Sequence, residues 1–366
     1  MDNPQKQGQT AGDHSIAIQA GRDVHVGLIT VSEAREIALG VFKANALELA
    51  GLARDLFELR GREFIERYLE ELQRRRPGGL DSFRDPDMLH TIFTAQRDYA
   101  RIGAQNLAQL LIDLLIQRST AANLRQIVLN EATAVAAKLT DNQLDLLSFT
   151  LLFVHYAPLR FSFDSLAEFG EYLRKHVSPL LNEDFTQLST YLHLDYTGCI
   201  SMDSWGCTII ARIQDVFPGC FTQGFQLPAG HPGFKSQIQD LFIPCFHDAG
   251  ALQLRPMDEV TLDEVAHSRG VPNADLAAVV TDERVRMLEV SNAFDLLCKL
   301  DPKFQFLLSP TPEPPAFDGP LSKIQLTSVG IALANANIRR RTGLEFDLAQ
   351  WTIAVSRVDP PRIQIS

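Results

Sequence analysis

One stretch of the chain, residues 32–76, constrains the fold more than any other. It reads SEAREIALGVFKANALELAGLARDLFELRGREFIERYLEELQRRR, contains no proline, and ends at Pro77. Apolar residues recur along it at three- and four-residue steps on both sides of Gly61: Leu49, Leu52, Leu56, Leu59, Ile65, Tyr68 and Leu72. We therefore predict one very long N-terminal helix, bent near Gly61. Because it would be about 65 Å long, more than the width of an ordinary domain, part of it must pack outside its own domain, which indicates self-assembly.

The residues ahead of this helix predict a short N-terminal β-hairpin. The sequence GDHSIAIQAGRDVHVG, residues 12–27, alternates apolar and polar side chains on both sides of a glycine turn. Because a lone hairpin is marginally stable in water, it must pair with a strand from the C-terminal half or with copies of itself in other subunits. A flexible tail is the alternative. We predict that oligomerisation uses Ile16, Ile18, Gln19, Gly21, Asp23, Val24 and Val26.

The remaining pattern predicts a mainly α fold, a multi-helix bundle or array followed by a mixed α+β C-terminal part. From Asp85 to about Leu181, capping residues and apolar periodicity indicate helices with short connections. Beyond them, Thr281–Leu300 and LTSVGIALANANIRRR before Gly343 also read as helices, and WTIAV reads as a final strand. The residues expected to be buried in the helical part are Leu110, Leu111, Leu114, Leu115, Ile127, Leu146, Phe149 and Phe153.

These patterns divide the chain into three predicted parts. They are a short β oligomerisation segment (1–30), an α-helical domain (31–185) and a mixed α+β C-terminal domain (186–366) with a Pro-rich linker at 309–320.

Composition restricts location and partners. The chain has 366 residues, of which 45% are hydrophobic, and a formal net charge of −11, which argues against non-specific binding to nucleic acid or anionic membrane. Its start lacks the apolar core of a secretory signal, and the longest apolar run, Leu144–Val154, is too short to span a membrane. We expect a cytoplasmic protein with neither membrane nor nucleic acid as a partner.

Few residues in the sequence have a spacing that suggests a catalytic or metal site. Cys245 and His247 are close in sequence, but a catalytic dyad also needs hydrogen-bond reach between the side chains. Asp195, Cys199 and Asp203 flank a glycine-containing loop without a second cluster to complete a metal site. These five residues are the candidates for an alternative, an enzyme of unrecognised type (a hydrolase or a metal-dependent enzyme) with its site in 195–248.

Other familiar sites are missing from the sequence. It has no Cys-x-x-Cys, Gly-x-x-x-x-Gly-Lys, Gly-x-Gly-x-x-Gly after a strand, His-Glu-x-x-His or Gly-x-Ser-x-Gly. The basic run Arg339–Arg341 is better explained by the dipole at a helix C-terminus than by phosphate binding. We expect no cofactor, no metal and no enzymatic activity.

The chain as a whole resembles a known family. The segments IQAGRDV, EAREIALGVFKANALELA, PDMLHTIFTAQRDYARIG, LAQLLIDLLIQRS, LRQIVLNEA and LTSVGIALANANIRRR are similar to those of uncharacterised bacterial proteins known mainly by locus tags. That resemblance implies no activity or catalytic residue. The IQAGRDV segment also resembles those at the front of bacterial conflict and signalling proteins, and is distantly similar to the β-stacking motifs of amyloid-type signalling. We therefore predict a non-enzymatic homo-oligomeric scaffold or sensor in antiviral defence or stress signalling, whose partners are itself and a phage or host protein.

Overall fold

The computed structural model describes residues 29–45, 51–153, 163–202, 208–225, 239–256, 259–272, 280, 286–307 and 320–344. Within these ranges the protein is mainly helical with small antiparallel sheets, which confirms the predicted fold class in this coarse form. The predicted hairpin with its oligomerisation residues, nearly all of the Pro-rich linker and the WTIAV strand lie outside the described residues. None of the described helices is long and apolar enough to cross a membrane.

Helices make up most of the described residues in the first half of the chain. They are α1 (Val31–Asn45), α2 (Gly51–Arg75), α3 (Pro86–Ile102), α4 (Gln105–Arg118), α5 (Asn123–Ala136), α6 (Asp141–Phe153) and α7 (Leu166–Tyr172), the last continued by a π-helical turn at Leu173–Val177.

Local capping explains several of these bounds. Asp85 caps α3 by accepting a hydrogen bond from the Asp87 backbone N–H at 3.0 Å, and Gly103 ends the helix with φ at 76°. At the start of α6, Thr140 and Gln143 exchange reciprocal hydrogen bonds. These boundaries agree with those predicted from the sequence because each depends on residues within one helical turn.

The prediction of one continuous helix over 32–76 is wrong. The Phe42 ring of α1 stacks on the Phe57 ring of α2 with centroids 4.6 Å apart, whereas a straight helix would separate them by roughly 22 Å. The chain therefore reverses between α1 and α2. Gly61 lies inside α2 and makes room for its neighbour, because a Cβ there would lie 2.3 Å from the Phe42 ring.

The second half combines shorter helices with two two-stranded sheets. Its helices are α8 (Leu188–Tyr196), α9 (Ile209–Val216), α10 (Pro218–Phe221), α11 (Glu259–Ser268), α12 (Val290–Leu300) and α13 (Ser328–Thr342). The strands are β1 (Ile200–Met202), β2 (Phe242–Pro244), β3 (Leu252–Leu254) and β4 (Ile324–Leu326). Strand β1 pairs with β4, opposing Ile200 to Leu326, and β2 pairs with β3, opposing Phe242 to Leu254.

The helix predicted over Thr281–Leu300 begins later than expected, at Val290. The residues just before it lie beside the end of α10 instead. Leu288 N–H donates to the Phe221 carbonyl at 2.8 Å, and the Arg286 carbonyl accepts from Gln223 N–H at 2.8 Å. Among the described residues, this strand-like pairing with a distant segment takes the place of helix at 286–289.

The main core lies between α2, α3, α4, α5, α6 and α13. Of the residues predicted to be buried there, all but Ile127 are buried. Ile127 is 59% exposed because α5 turns another face inward, formed by Leu129, Ala132 and Ala136. A smaller core around Phe225, Leu254 and Leu262 belongs to the C-terminal half.

Helix α13 comes near the end of the described chain but packs on α4, α5 and α6. Its start is fixed beside β1, where Thr327 N–H donates to the Cys199 carbonyl at 3.1 Å. Gly330 lets the backbones approach closely there, since a Cβ would lie 1.9 Å from that carbonyl oxygen. The predicted division at 185/186 stays a prediction, but α13 is part of the helical core.

Candidate functional site

The leading candidate site is an apolar surface at one end of the α2–α3 pair. Leu56 is 47% exposed and Leu59 is 53% exposed, and their three-residue spacing places them on one face of α2. Ile102, at the end of α3, is also exposed. We call Leu56, Leu59 and Ile102 the α2 patch.

Arg60 joins the two helices at this patch. Its Nη1 donates to the Ala100 carbonyl at 3.1 Å, and its guanidinium group lies against Gly103. Gly103 has φ at 76° and would clash with Arg60 if it carried a Cβ. Leu59 and Ile102, each adjacent in sequence to one of these residues, are therefore presented at the same end of the fold.

The leucine stripe predicted along α2 divides into two parts with different environments. Ile65, Tyr68 and Leu72 are fully buried against the helical core, whereas Leu56 and Leu59 remain half exposed. The sequence correctly marks the apolar positions of the stripe. It does not reveal where the core ends and the exposed patch begins, because both parts have the same spacing.

The Cys245–His247 pair is not arranged as a thiol–imidazole dyad. The Cys245 thiol donates to the Thr222 carbonyl at 3.4 Å, while His247 approaches the sulfur with its backbone N–H at 3.5 Å. The His247 imidazole bonds through Nε2 to the Cys220 carbonyl at 2.8 Å, and since a carbonyl only accepts, Nε2 carries the proton. Both side chains thus bond to backbone oxygens rather than to each other.

The other candidate residues that the structure describes differ in exposure. Asp195 is exposed near the end of α8, Cys199 is buried before β1, and Asp203 lies outside the described residues. Burial raises the pKa of the Cys199 thiol, which keeps it protonated and weakly nucleophilic. Within the described ranges, no group of three or more His, Cys, Asp or Glu side chains is placed to hold a metal ion. The alternative of an enzyme site in 195–248 stays a prediction.

The basic run at the end of α13 is used to hold that helix in place. Arg340 bonds to Asp141 at 2.9 Å. Arg341 bonds to Asp145 at 2.9 Å and donates to the Pro179 carbonyl at 2.6 Å. These contacts give Arg340 and Arg341 a structural role on α6 and the turn after α7, in place of phosphate binding.

A second polar network, which the sequence does not reveal, surrounds the buried Arg118 at the end of α4. Its guanidinium donates to Asp85 at 2.9 Å, to Asp87 at 2.8 Å and to Asn130 at 2.8 Å. Asn130 and Gln126 also donate to Asp87, and these two amides are the main causes of its lowered pKa. Asp85 is recognisable as a helix cap, but the residues of the network come from three helices, α3, α4 and α5, so sequence spacing gives no signal for it.

Comparison with known proteins gives a family and nothing beyond it. No curated protein and no solved structure matches the chain. One family model matches residues 29–352, which is most of the sequence and includes every described helix. The chain therefore belongs to that family of uncharacterised, locus-tag-named proteins.

Proposed function

We propose that this protein is a non-enzymatic homo-oligomeric scaffold or sensor that assembles through the α2 patch together with its N-terminal segment. The observation that carries the proposal is the half exposure of Leu56 and Leu59 on a helix that buries Ile65, Tyr68 and Leu72 further along. Covering apolar surface contributes about 25 cal/mol per Å², so a second copy placed over these leucines would stabilise an assembly.

The charges beside the patch favour a second copy as the occupant. Asp55 and Arg62 are exposed and Glu58 is half-buried around Leu59, so both signs of charge border the same face of α2. In an antiparallel pairing of two α2 helices, the acidic residues of one copy can lie opposite Arg62 of the other. The surface is therefore self-complementary in charge as well as apolar at its centre.

The N-terminal segment gives the proposal its biological setting. Its predicted strands can add to equivalent strands of neighbouring subunits, with Ile16, Ile18, Val24 and Val26 sharing one apolar interior. Its resemblance to segments at the front of bacterial conflict proteins is the basis for proposing a role in antiviral defence or stress signalling. A phage or host protein is the proposed partner of the assembled scaffold.

Light scattering on the full chain tests the role of the α2 patch. We expect a mass well above the 40.8 kDa of one chain. Leu59→Lys should lower that mass because it places a charge at the centre of the proposed contact. The matched control is Leu124→Lys, which changes an exposed leucine of α5 and should assemble like the parent. A monomeric parent, or a Leu59→Lys variant of unchanged mass, would overturn assembly through this patch.

Deleting residues 1–28 tests the N-terminal segment separately. The truncated chain keeps Thr30 and Glu33, which cap α1 with reciprocal hydrogen bonds of 2.9 and 3.2 Å. We expect a folded helical protein that forms a smaller assembly than the full chain. If the truncated and full chains form assemblies with the same number of subunits, the segment has no part in assembly and the α2 patch carries it alone.

A further inference from the structure

Helix α8 presents a second apolar surface, distinct from the α2 patch. Leu188, Leu192 and Tyr196 follow one another at four-residue steps and are 53%, 54% and 87% exposed. Met202, on the adjoining strand β1, is also exposed. We call these four residues the α8 stripe. Tyr196 is the most exposed of the four, although its ring is a large apolar surface.

The stripe is held on a fixed helix. The Tyr191 side chain is buried, and its hydroxyl donates to the Phe185 carbonyl at 2.7 Å. His193 bonds through Nδ1 to the side chain of Gln143 on α6 at 2.9 Å. These contacts fix one face of α8 to the helical core, so the opposite face is presented in a constant orientation.

The surroundings of the stripe are acidic at both ends. Glu183 and Asp184 lie in the 3₁₀ turn directly before α8, and exposed Asp195 lies in its last turn. Lys138 acts on the buried Cys199 thiol after α8, where its charge only partly offsets the burial that raises the pKa of that thiol. An apolar face bounded by carboxylates favours an occupant that is apolar in the middle and basic at its ends.

This charge pattern discriminates between two kinds of occupant. If a second copy packed its α8 antiparallel on the first, Asp195 of each copy would approach Glu183 and Asp184 of the other, and the like charges would repel. An amphipathic helix with basic flanks meets no such repulsion. We propose that the α8 stripe binds an amphipathic helix of a partner protein, with Lys or Arg residues on both sides of its apolar face. The proposal rests on the scaffold function and gives the chemistry of the scaffold's partner.

A synthetic peptide serves as the probe. It consists of leucine and lysine with the leucines at helical spacing, and the control peptide has the same composition in shuffled order. Fluorescence anisotropy with the full chain should show binding roughly tenfold tighter for the amphipathic peptide, because only that peptide forms a continuous apolar face. Equal affinities would show attraction by net charge alone and would overturn the proposal.

Neutral substitutions locate the binding. Leu192→Gln should weaken binding of the amphipathic peptide by roughly five- to tenfold, since it removes apolar contact without changing the charge. Leu124→Gln, in which an exposed leucine of α5 is replaced, is the matched control and should bind like the parent. Thermal unfolding followed by circular dichroism checks that both variants are folded. Unchanged peptide binding by Leu192→Gln would overturn the proposal.

The same variants keep this proposal separate from the proposed assembly. Leu192→Gln should leave the mass of the full chain unchanged, and Leu59→Lys should lower the mass while each chain still binds the peptide. If Leu192→Gln lowered the mass, the α8 stripe would be a contact between subunits, and binding of a partner helix there would be refuted. Failure of Leu59→Lys to change the mass would count against the α2 patch alone.

Discussion

Asn337 of α13 donates a hydrogen bond to Oδ1 of Asp145 on α6 at 2.9 Å, across 192 residues of sequence. It donates a second one to the Ser148 hydroxyl at 2.9 Å, and Arg341 bonds to both carboxylate oxygens of Asp145. Burial raises the pKa of Asp145, which these donors counteract. A buried carboxylate on one helix is thus satisfied by residues of a helix that is distant in sequence.

The first prediction concerns this contact. Asn337→Ala should lower the free energy of unfolding by about 2–3 kcal/mol, because it removes a hydrogen bond to a buried charged group and leaves the Ser148 hydroxyl with fewer partners. Urea unfolding measures the change. Leu124→Ala, at an exposed position of α5, should stay within about 0.5 kcal/mol of the parent. An equally small effect at Asn337 would mean that the buried contact contributes no net stability.

The second prediction follows from Asp87, whose pKa is held below its usual value, chiefly by hydrogen bonds from Gln126 and Asn130. A carboxyl group with a lowered folded-state pKa stabilises the fold above its unfolded-state pKa and loses that contribution as pH falls through the folded-state pKa. The stability difference between the parent and Asp87→Asn should therefore be largest near neutral pH and shrink below about pH 4.

Urea unfolding at a series of pH values measures this difference. Asp81→Asn is the control, because Asp81 is exposed in the turn before α3 and lies outside the Arg118 network. A parent-to-variant difference for Asp87 that stayed constant between pH 7 and pH 3 would contradict the assignment.

The third prediction compares two glycines in helices. Gly330→Ala should destabilise the protein by about 1–3 kcal/mol, because the new methyl group would lie 1.9 Å from the Cys199 carbonyl oxygen. Gly40→Ala in α1 should instead stabilise it by up to about 1 kcal/mol, since no atom lies within 4 Å of the added Cβ. Thermal or urea unfolding measures the stability of both variants. A stabilising Gly330→Ala would refute the close approach of α13 to Cys199.

Local residues made much of the helical fold predictable. Asp85 with Pro86, Gly103, Thr140 and Gly343 mark helix ends through contacts within a turn or two, and the structure uses each of them. The burial of the α4 leucines could be predicted because apolar residues occupy almost every side of this helix.

The features that escaped prediction depend on distant partners. Nothing between Asn45 and Gly51 predicts that the chain reverses, since the segment contains no proline; the Phe42–Phe57 stack reveals it. Ile127 is exposed because α5 offers two apolar faces and only the packed fold selects between them. The Arg118 network and the α8 stripe likewise arise from what each helix face meets in space, which spacing along the chain does not encode.

The position of α13 has a consequence for synthesis of the protein. Every residue of α6 from Gln143 to Phe153 is buried, in part beneath α13. At a ribosomal rate of about 5–20 residues per second, the 192 residues between Asp145 and Asn337 take roughly 10–40 s to appear. During that interval α6 is an apolar helix that α13 does not yet cover. A ribosome-bound chaperone would have to shield it until α13 has been synthesised.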